Sequence, residues 1–156
     1  MREASLKDIT HFLECKRVAF VGVSRDSKHI SRSLFREFIA KGYDPVPVNP
    51  QATEIEQRKC FARLSDITPP VEAALLMTST PEATDQAVHE CKEADIRDIW
   101  IYKSVNNEGH AQAVESSRSQ GSAVVEGYCP FMFLPHPVLF HRLHRMIMKV
   151  AGSYPL

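Results

Sequence analysis

Glycine is scarce in this chain, with six in 156 residues. Only Gly22 falls where a run of apolar and β-branched residues gives way to a polar turn. The dinucleotide fingerprint G-x-G-x-x-G is therefore absent, because the later glycine positions carry Ser24 and Ser27. A carboxylate at the end of the following extended segment is missing too. Asn49-Pro50 stands where an acid would hold an adenosine ribose, and the two absences together argue against NAD as a hydride carrier. No charge of one sign prevails either: nineteen Lys and Arg balance nineteen Asp and Glu. Nucleic acid and anionic membrane are disfavoured as partners, and any anion binding has to come from a local patch. No apolar run approaches the roughly 18 residues of a membrane span. The four cysteines, Cys15, Cys60, Cys91 and Cys129, show no C-x-x-C spacing, and the N-terminus has no secretory pattern. Reduced thiols and a soluble, cytoplasmic protein are the expectation.

What is present is an alternation of two periodicities. Ser5 to Leu13 places Leu6, Ile9, Phe12 and Leu13 at helical spacing, with Ser5 as N-cap and Asp8 at the capping-box position. Arg17 to Val23 reads as a first strand. Leu34, Phe35, Phe38 and Ile39 form the apolar stripe of a helix that ends at Lys41-Gly42. Asp44 to Pro50 is a second extended segment whose prolines remove ladder donors, which predicts a place near a sheet edge. The pattern is weak from Gln51 to Thr68, with a brief extended piece at Arg58–Phe61 and a helical turn at Leu64–Ile67. Val71 to Thr78 predicts a third strand, and Thr80-Pro81 starts a helix running to about Ala94, with a cap and then proline at its first position. Arg97–Tyr102 and Ser122–Gly127 predict the fourth and fifth strands, separated by a polar turn at Lys103–Asn107 and a helix ending near Gly121. A last amphipathic helix is expected at about 137–151, and its apolar face suits a possible homodimer.

Strands alternating with crossover-length helices give a Rossmann-like α/β fold in a single domain spanning 1–156. The expected sheet is open, parallel and five- or six-stranded, with helices on both faces. Ligands of such sheets sit beyond the carboxyl ends of the strands, where the strand order reverses. The first and fourth strands are expected to flank that point, bringing the turn from Gly22 to Ser31 opposite Lys103. A helix N-terminus with free backbone donors favours phosphate there. Arg25, Lys28 and Arg32 add charge, and Ser24 and Ser31 add hydroxyls. Outside a strand-turn-helix context the same three cations would read equally well as solvated charges on a turn; within it they point to a phosphate site.

Several of these motifs in combination resemble a known family: Gly22-Val23-Ser24-Arg25-Asp26, Gly42-Tyr43 before Pro45-Val46-Pro47-Val48-Asn49-Pro50, and Leu64-Ser65-Asp66-Ile67. Thr80-Pro81-Glu82, Asp98-Ile99-Trp100-Ile101 and Gly127-Tyr128-Cys129-Pro130 add to them. The family is that of the small CoA-binding domain proteins, whose fold is shared with the CoA-binding domain of the succinyl-CoA synthetase alpha subunit. The resemblance covers Phe12 to Leu134. It implies that coenzyme A or an acyl-CoA is the ligand, that Gly22 to Arg25 receive its pyrophosphate, that Asn49 and Pro50 lie near the adenosine, and that Met77, Thr78 and Thr80 line the nucleotide. Tyr102-Lys103-Ser104-Val105 departs from the family pattern after the fourth strand, and Lys103 there is a further candidate phosphate contact.

No residues nominate catalysis. Serines lack a nucleophile elbow, and Glu54 and Glu56 fall in an irregular stretch. His136, His141 and His144 could suggest a metal, but Arg142 and Arg145 beside His141 and His144 disfavour a cation. Cys129 reads as a small packing residue, and Trp100 as core or interface. Non-catalytic binding of CoA is the leading expectation. The alternatives are a nucleotide-dependent oxidoreductase or acyl-CoA ligase component needing a partner, and an interaction or scaffold protein that has lost its ligand.

Overall fold

The computed structural model describes residues 5–102 and 111–135, together with Met146 and Lys149. Its first helix, α1 (Leu6–Glu14), starts on the expected capping box: the Ser5 hydroxyl accepts the Asp8 N–H, and the Asp8 carboxylate accepts the Ser5 N–H. The helix buries Ile9 and Phe12, whereas Leu6 at its start remains 39% exposed.

The following elements are β1 (Arg17–Val21), α2 (Ile30–Ala40) and β2 (Asp44–Val48), then a small hairpin of β3 (Glu54–Ile55) and β4 (Arg58–Lys59). After a 3-10 turn at Leu64–Asp66 come β5 (Ala73–Leu76), α3 (Pro81–Glu93), β6 (Asp98–Ile101), α4 (Ala111–Ser119) and β7 (Ala123–Glu126). Five strands form one parallel sheet in the order β2-β1-β5-β6-β7. The Pro-rich β2 is an edge strand, as its missing donors require. Its open side is partly covered by a parallel bridge to Phe61, whose N–H donates to the Pro47 carbonyl.

This order corrects one expectation. The first and fourth strands do not flank the reversal point; β1 and the third sheet strand, β5, do. β2 takes one side of β1, and the chain then returns to pair β5 on the other, so the order reverses between β1 and β5. All four residues of β5 are buried, and the small Ala73 and Ala74 suit a central strand.

The period-2 alternation of the strands sorts the core into two layers. Val18, Phe20, Leu75, Trp100 and Val125 meet Ile9 and Phe12 of α1 and Leu34, Phe35 and Phe38 of α2. Ala19, Val48, Ala74, Leu76, Ile99 and Ile101 meet Ala87, Val88 and Cys91 of α3 and Val114 of α4. Helices therefore cover both faces. Among the described residues no helix is long and apolar enough to cross a membrane. The helix expected at 137–151 lies outside the described residues except for Met146 and Lys149, which are both helical and exposed.

One strap at the amino end of β6, remote from the ligand side, is pH-sensitive. His11 Nδ1 lies 2.6 Å from Asp98 Oδ1, tying α1 to the start of β6. The hydrogen bond and then the charge of Asp98 raise the His11 pKa above 6.5. A raised folded pKa means that the contribution to stability is complete below the unfolded value and fades as pH rises through the folded one. The side chain is 63% exposed, so solvent screens the pair and the effect is small. His11→Gln is expected to flatten the fall in Tm between about pH 6 and pH 8. Thermal melts of both proteins across that range check it.

Candidate functional site

Gly22 ends β1 with φ at +85°, in the left-handed region. A Cβ at this position would stand 2.8 Å from the Met77 carbonyl oxygen and 3.2 Å from the Thr78 nitrogen. The backbones leaving β1 and β5 therefore touch at the point where the strand order reverses, and only glycine permits both the torsion and the approach. The Gly22 N–H donates to the Val48 carbonyl, and the Met77 N–H to Val21, so three strand ends are tied at one spot.

The turn that follows is held mainly by its own side chains. The Ser24 N–H donates to Ser31 Oγ at 2.9 Å, the Asp26 N–H to Ser24 Oγ, and the Lys28 N–H to Asp26 Oδ1. The N-cap of α2 is His29, whose Nδ1 accepts the Ser31 N–H at 3.2 Å and lies 2.8 Å from Ser31 Oγ. With Nδ1 accepting the Ser31 N–H, the ring's remaining donor is the Nε2–H. These bonds replace the expected row of free backbone donors: part of the α2 N-terminus is already capped, and His29 offers an N–H in its place. Ser31 is fully buried beneath this turn. Ser31→Ala is expected to cost about 1–2 kcal/mol, because the Ser24 N–H loses its acceptor; urea denaturation measures it.

Arg32 differs from its expected role as a free phosphate contact. Its guanidinium bonds Glu56 Oε1 at 2.6 and 2.9 Å and reaches the Ser24 and Arg25 carbonyls. Arg36 joins the same carboxylate and the Ser27 carbonyl. Burial pushes the Glu56 pKa up, but the hydrogen bonds and charges of the two arginines outweigh it and hold the carboxyl below its ordinary value. The network clamps the 24–27 turn to the β3–β4 hairpin, where Glu56 and Gln57 both adopt positive φ, as a tight two-residue turn requires.

Between the carboxyl ends of β1, β2 and β5 and the first turns of α3 lies a cleft of about 520 Å³. Of the residues singled out from sequence, Gly22, Ser24, Pro50, Met77 and Thr78 line it. The others are placed around it. Val23 is fully buried in the core, and Ser31 supports the turn from below. Arg25 and Lys28 are exposed on the turn itself. Asn49 is a brace: its Nδ2 donates to the Val23 carbonyl at 2.9 Å and its Oδ1 accepts the Gln51 N–H at 2.8 Å. Thr80 caps α3 by accepting the Ala83 N–H. Lys103 lies outside the described residues.

The cleft also takes in residues that the sequence reading passed over: His29, Ala62, Arg63, Ala83, Gln86 and Glu90. Ala83 and Ala87, one helical turn apart, leave room on the α3 wall, and that spacing was legible. Arg63 was not, because a long-range bridge through Phe61 brings it there. Glu90 accepts the Leu64 N–H and the Gln86 side-chain amide. Cys129 is half-buried; burial raises its thiol pKa, against a smaller lowering by the Phe131 N–H, which disfavours a thiolate. Among the described residues no group of three or more His, Cys, Asp or Glu is arranged to hold a metal.

A five-stranded parallel sheet covered on both faces, with its cleft at the reversal of strand order, defines a Rossmann-like α/β protein. The CoA binding domain family matches residues 16–135, and the chain belongs to it. The chain is 25% identical over 130 residues to the uncharacterised protein YneT of Bacillus subtilis (strain 168), spanning 83% of this chain and 93% of that protein. A hypothetical protein from Pyrococcus horikoshii OT3 superposes with a TM-score of 0.72 at 24% identity, covering 86% of this chain and 99% of that one. The same fold occurs within a dinucleotide forming acetyl-coenzyme A synthetase 1 of Ca. Korarchaeum cryptofilum, with a TM-score of 0.59 and 24% identity. That match covers 70% of this chain and 25% of the synthetase.

Proposed function

We propose that the protein binds coenzyme A or an acyl-CoA in the cleft between β1, β2 and β5, and holds it without chemistry of its own. The observation that carries this reading is Gly22, whose positive φ and missing Cβ, which would stand 2.8 Å from the Met77 carbonyl oxygen, let the ends of β1 and β5 meet beside the cleft in a chain of the CoA binding domain family. In this reading the pyrophosphate lies against Gly22, which has no side chain to exclude it, and the Ser24 hydroxyl and the Nε2–H of His29 donate to it. Arg25 and Lys28 supply positive charge from the rim. Pro50 and Val48 form the apolar wall for the adenosine, and Met77 and Thr78 form the floor.

The absence of catalysis in this reading rests on the cleft's titratable groups. His29 spends its Nδ1 on the helix cap, and Glu90 spends its oxygens on Leu64 and Gln86, so neither is poised beside a nucleophile. Isothermal titration with CoA, acetyl-CoA, ADP and NAD tests the proposal. CoA species are expected to bind more tightly than NAD; no heat and no thermal stabilisation with any CoA species up to millimolar concentration overturns it.

A further inference from the structure

We infer that the cleft selects an adenosine whose ribose carries a phosphate, and that Arg63 is the residue that makes the selection. This rests on the CoA-binding reading and adds to it a specificity-determining contact. Three observations converge on it.

The first is how Arg63 reaches the ligand edge. Phe61 bridges Val48 in parallel sense: its N–H donates to the Pro47 carbonyl at 2.9 Å, and its own carbonyl accepts the Asn49 N–H at 2.9 Å. A parallel bridge makes both chains leave in the same direction. Ala62 and Arg63 therefore emerge beside Asn49 and Pro50 at the carboxyl end of the sheet, and both line the cleft with Pro50.

The second is that Arg63 is fixed at its backbone and unspent at its head. Leu64, the next residue, is buried and donates its N–H to Glu90 Oε2 at 3.4 Å. With Phe61 bonded on one side and Leu64 on the other, the Arg63 backbone is extended, at φ −139° and ψ 156°. Its side chain is exposed and has no hydrogen-bond or ion-pair partner among the described residues. Arg32 and Arg36, by contrast, are both committed to Glu56. A guanidinium held at the cleft wall and free of a carboxylate is suited to a phosphate.

The third is the lack of the alternative. A ribose with free hydroxyls is held in such folds by a carboxylate at the end of the second strand, whereas an arginine nearby accommodates a ribose phosphate. The end of β2 offers Asn49, and both ends of its amide are bonded within the protein. Glu56 is gripped by two arginines on the α2 side. Glu90 lines the cleft, but on the α3 wall, where its oxygens accept the Leu64 N–H and the Gln86 amide. Among the described residues, the β2 side of the cleft thus offers a cation and no free carboxylate.

Coenzyme A carries a phosphate on its ribose, and dephospho-CoA is the same molecule without it. Titration of the full chain with each, at low ionic strength, reads the contact directly. CoA is expected to bind about tenfold more tightly than dephospho-CoA, the scale of one charge-assisted phosphate contact at a partly exposed site. Arg63→Ala is expected to remove that preference by weakening CoA alone, and Arg63→Lys to keep part of it. An exposed side chain with no partner gives no reason for either variant to unfold, and unchanged dephospho-CoA affinity verifies that the cleft is intact. Equal affinities in the unsubstituted protein, or a preference that survives Arg63→Ala, overturn the inference while leaving CoA binding in place. Binding of neither molecule overturns the CoA reading and this inference with it.

Discussion

Replacing Gly22 with alanine is expected to destabilise the protein by about 2–5 kcal/mol and to abolish binding in the cleft. Two costs add at this position. A left-handed torsion costs an ordinary L-residue about 1–2 kcal/mol, and φ here is +85°. The new Cβ would also stand 2.8 Å from the Met77 carbonyl oxygen, an atom of the backbone that cannot rotate away. Relief requires β1 and β5 to part where the Gly22 and Met77 N–H groups tie the strand ends together, and overpacking of that kind typically costs 1–3 kcal/mol. Gly42 separates the two costs. It has φ at +84° with nothing within 4 Å of a built Cβ, so Gly42→Ala is expected to lose only the torsional cost of about 1–2 kcal/mol and no affinity. Urea denaturation and titration of both variants check this; equal losses would mean that the close approach is not what requires glycine at Gly22.

The difference between these two glycines marks what could be read from the chain and what could not. Gly42 follows a helix that ends in Lys41, a local signature. Gly22 was legible as the end of a strand, but its necessity comes from Met77, 55 residues away by number, which is in contact only because β5 lies beside β1. Elements with strong local periodicity emerged close to where they were expected: α1 with its capping box, the strand of Pro45 and Pro47 at the sheet edge, and α3 behind Thr80-Pro81. Strand order is a property of long-range pairing, and the local pattern of β5 carries no mark of which neighbour it takes.

The same distinction divides the candidate site. Residues on the turn itself were found because a strand, a glycine and a helix start define a place for a ligand. Their roles were harder to assign, because those depend on partners brought in by other elements. Arg32 reads as a phosphate contact until Glu56 arrives on the hairpin, and Asn49 as a ligand contact until Val23 and Gln51 take both ends of its amide. His29 reads as one polar turn residue among several until its Nδ1 is seen capping α2. Polar groups near a cleft are recruited to hold it before they are available to a ligand, since an unpaired one is costly when half-buried. His29 and Arg63, which line the cleft with donors unspent, are therefore more informative than the larger set of basic residues on the turn.

Trp100→Ala is expected to cost about 3–5 kcal/mol, the range for truncating a large buried aromatic, and to leave the affinity of the folded protein unchanged. Trp100 is fully buried in β6; its ring stands edge-on to Phe12 at 5.2 Å, and its Nε1–H donates to the Tyr128 carbonyl at 3.0 Å. It therefore ties α1 and the segment after β7 to the sheet centre. Its side chain belongs to the layer of α1 and α2, whereas Ala83, Gln86 and Ala87 of the cleft come from α3 on the opposite face. With a domain stability of roughly 5–15 kcal/mol the variant retains a folded population or stands near its limit. Trp100→Phe keeps most of the apolar area and loses the bond to Tyr128, with an expected cost of about 1–2 kcal/mol. Titration of Trp100→Phe, which stays folded, reads affinity free of that uncertainty. A marked loss of CoA affinity there would make Trp100 part of the ligand site rather than of the core behind it.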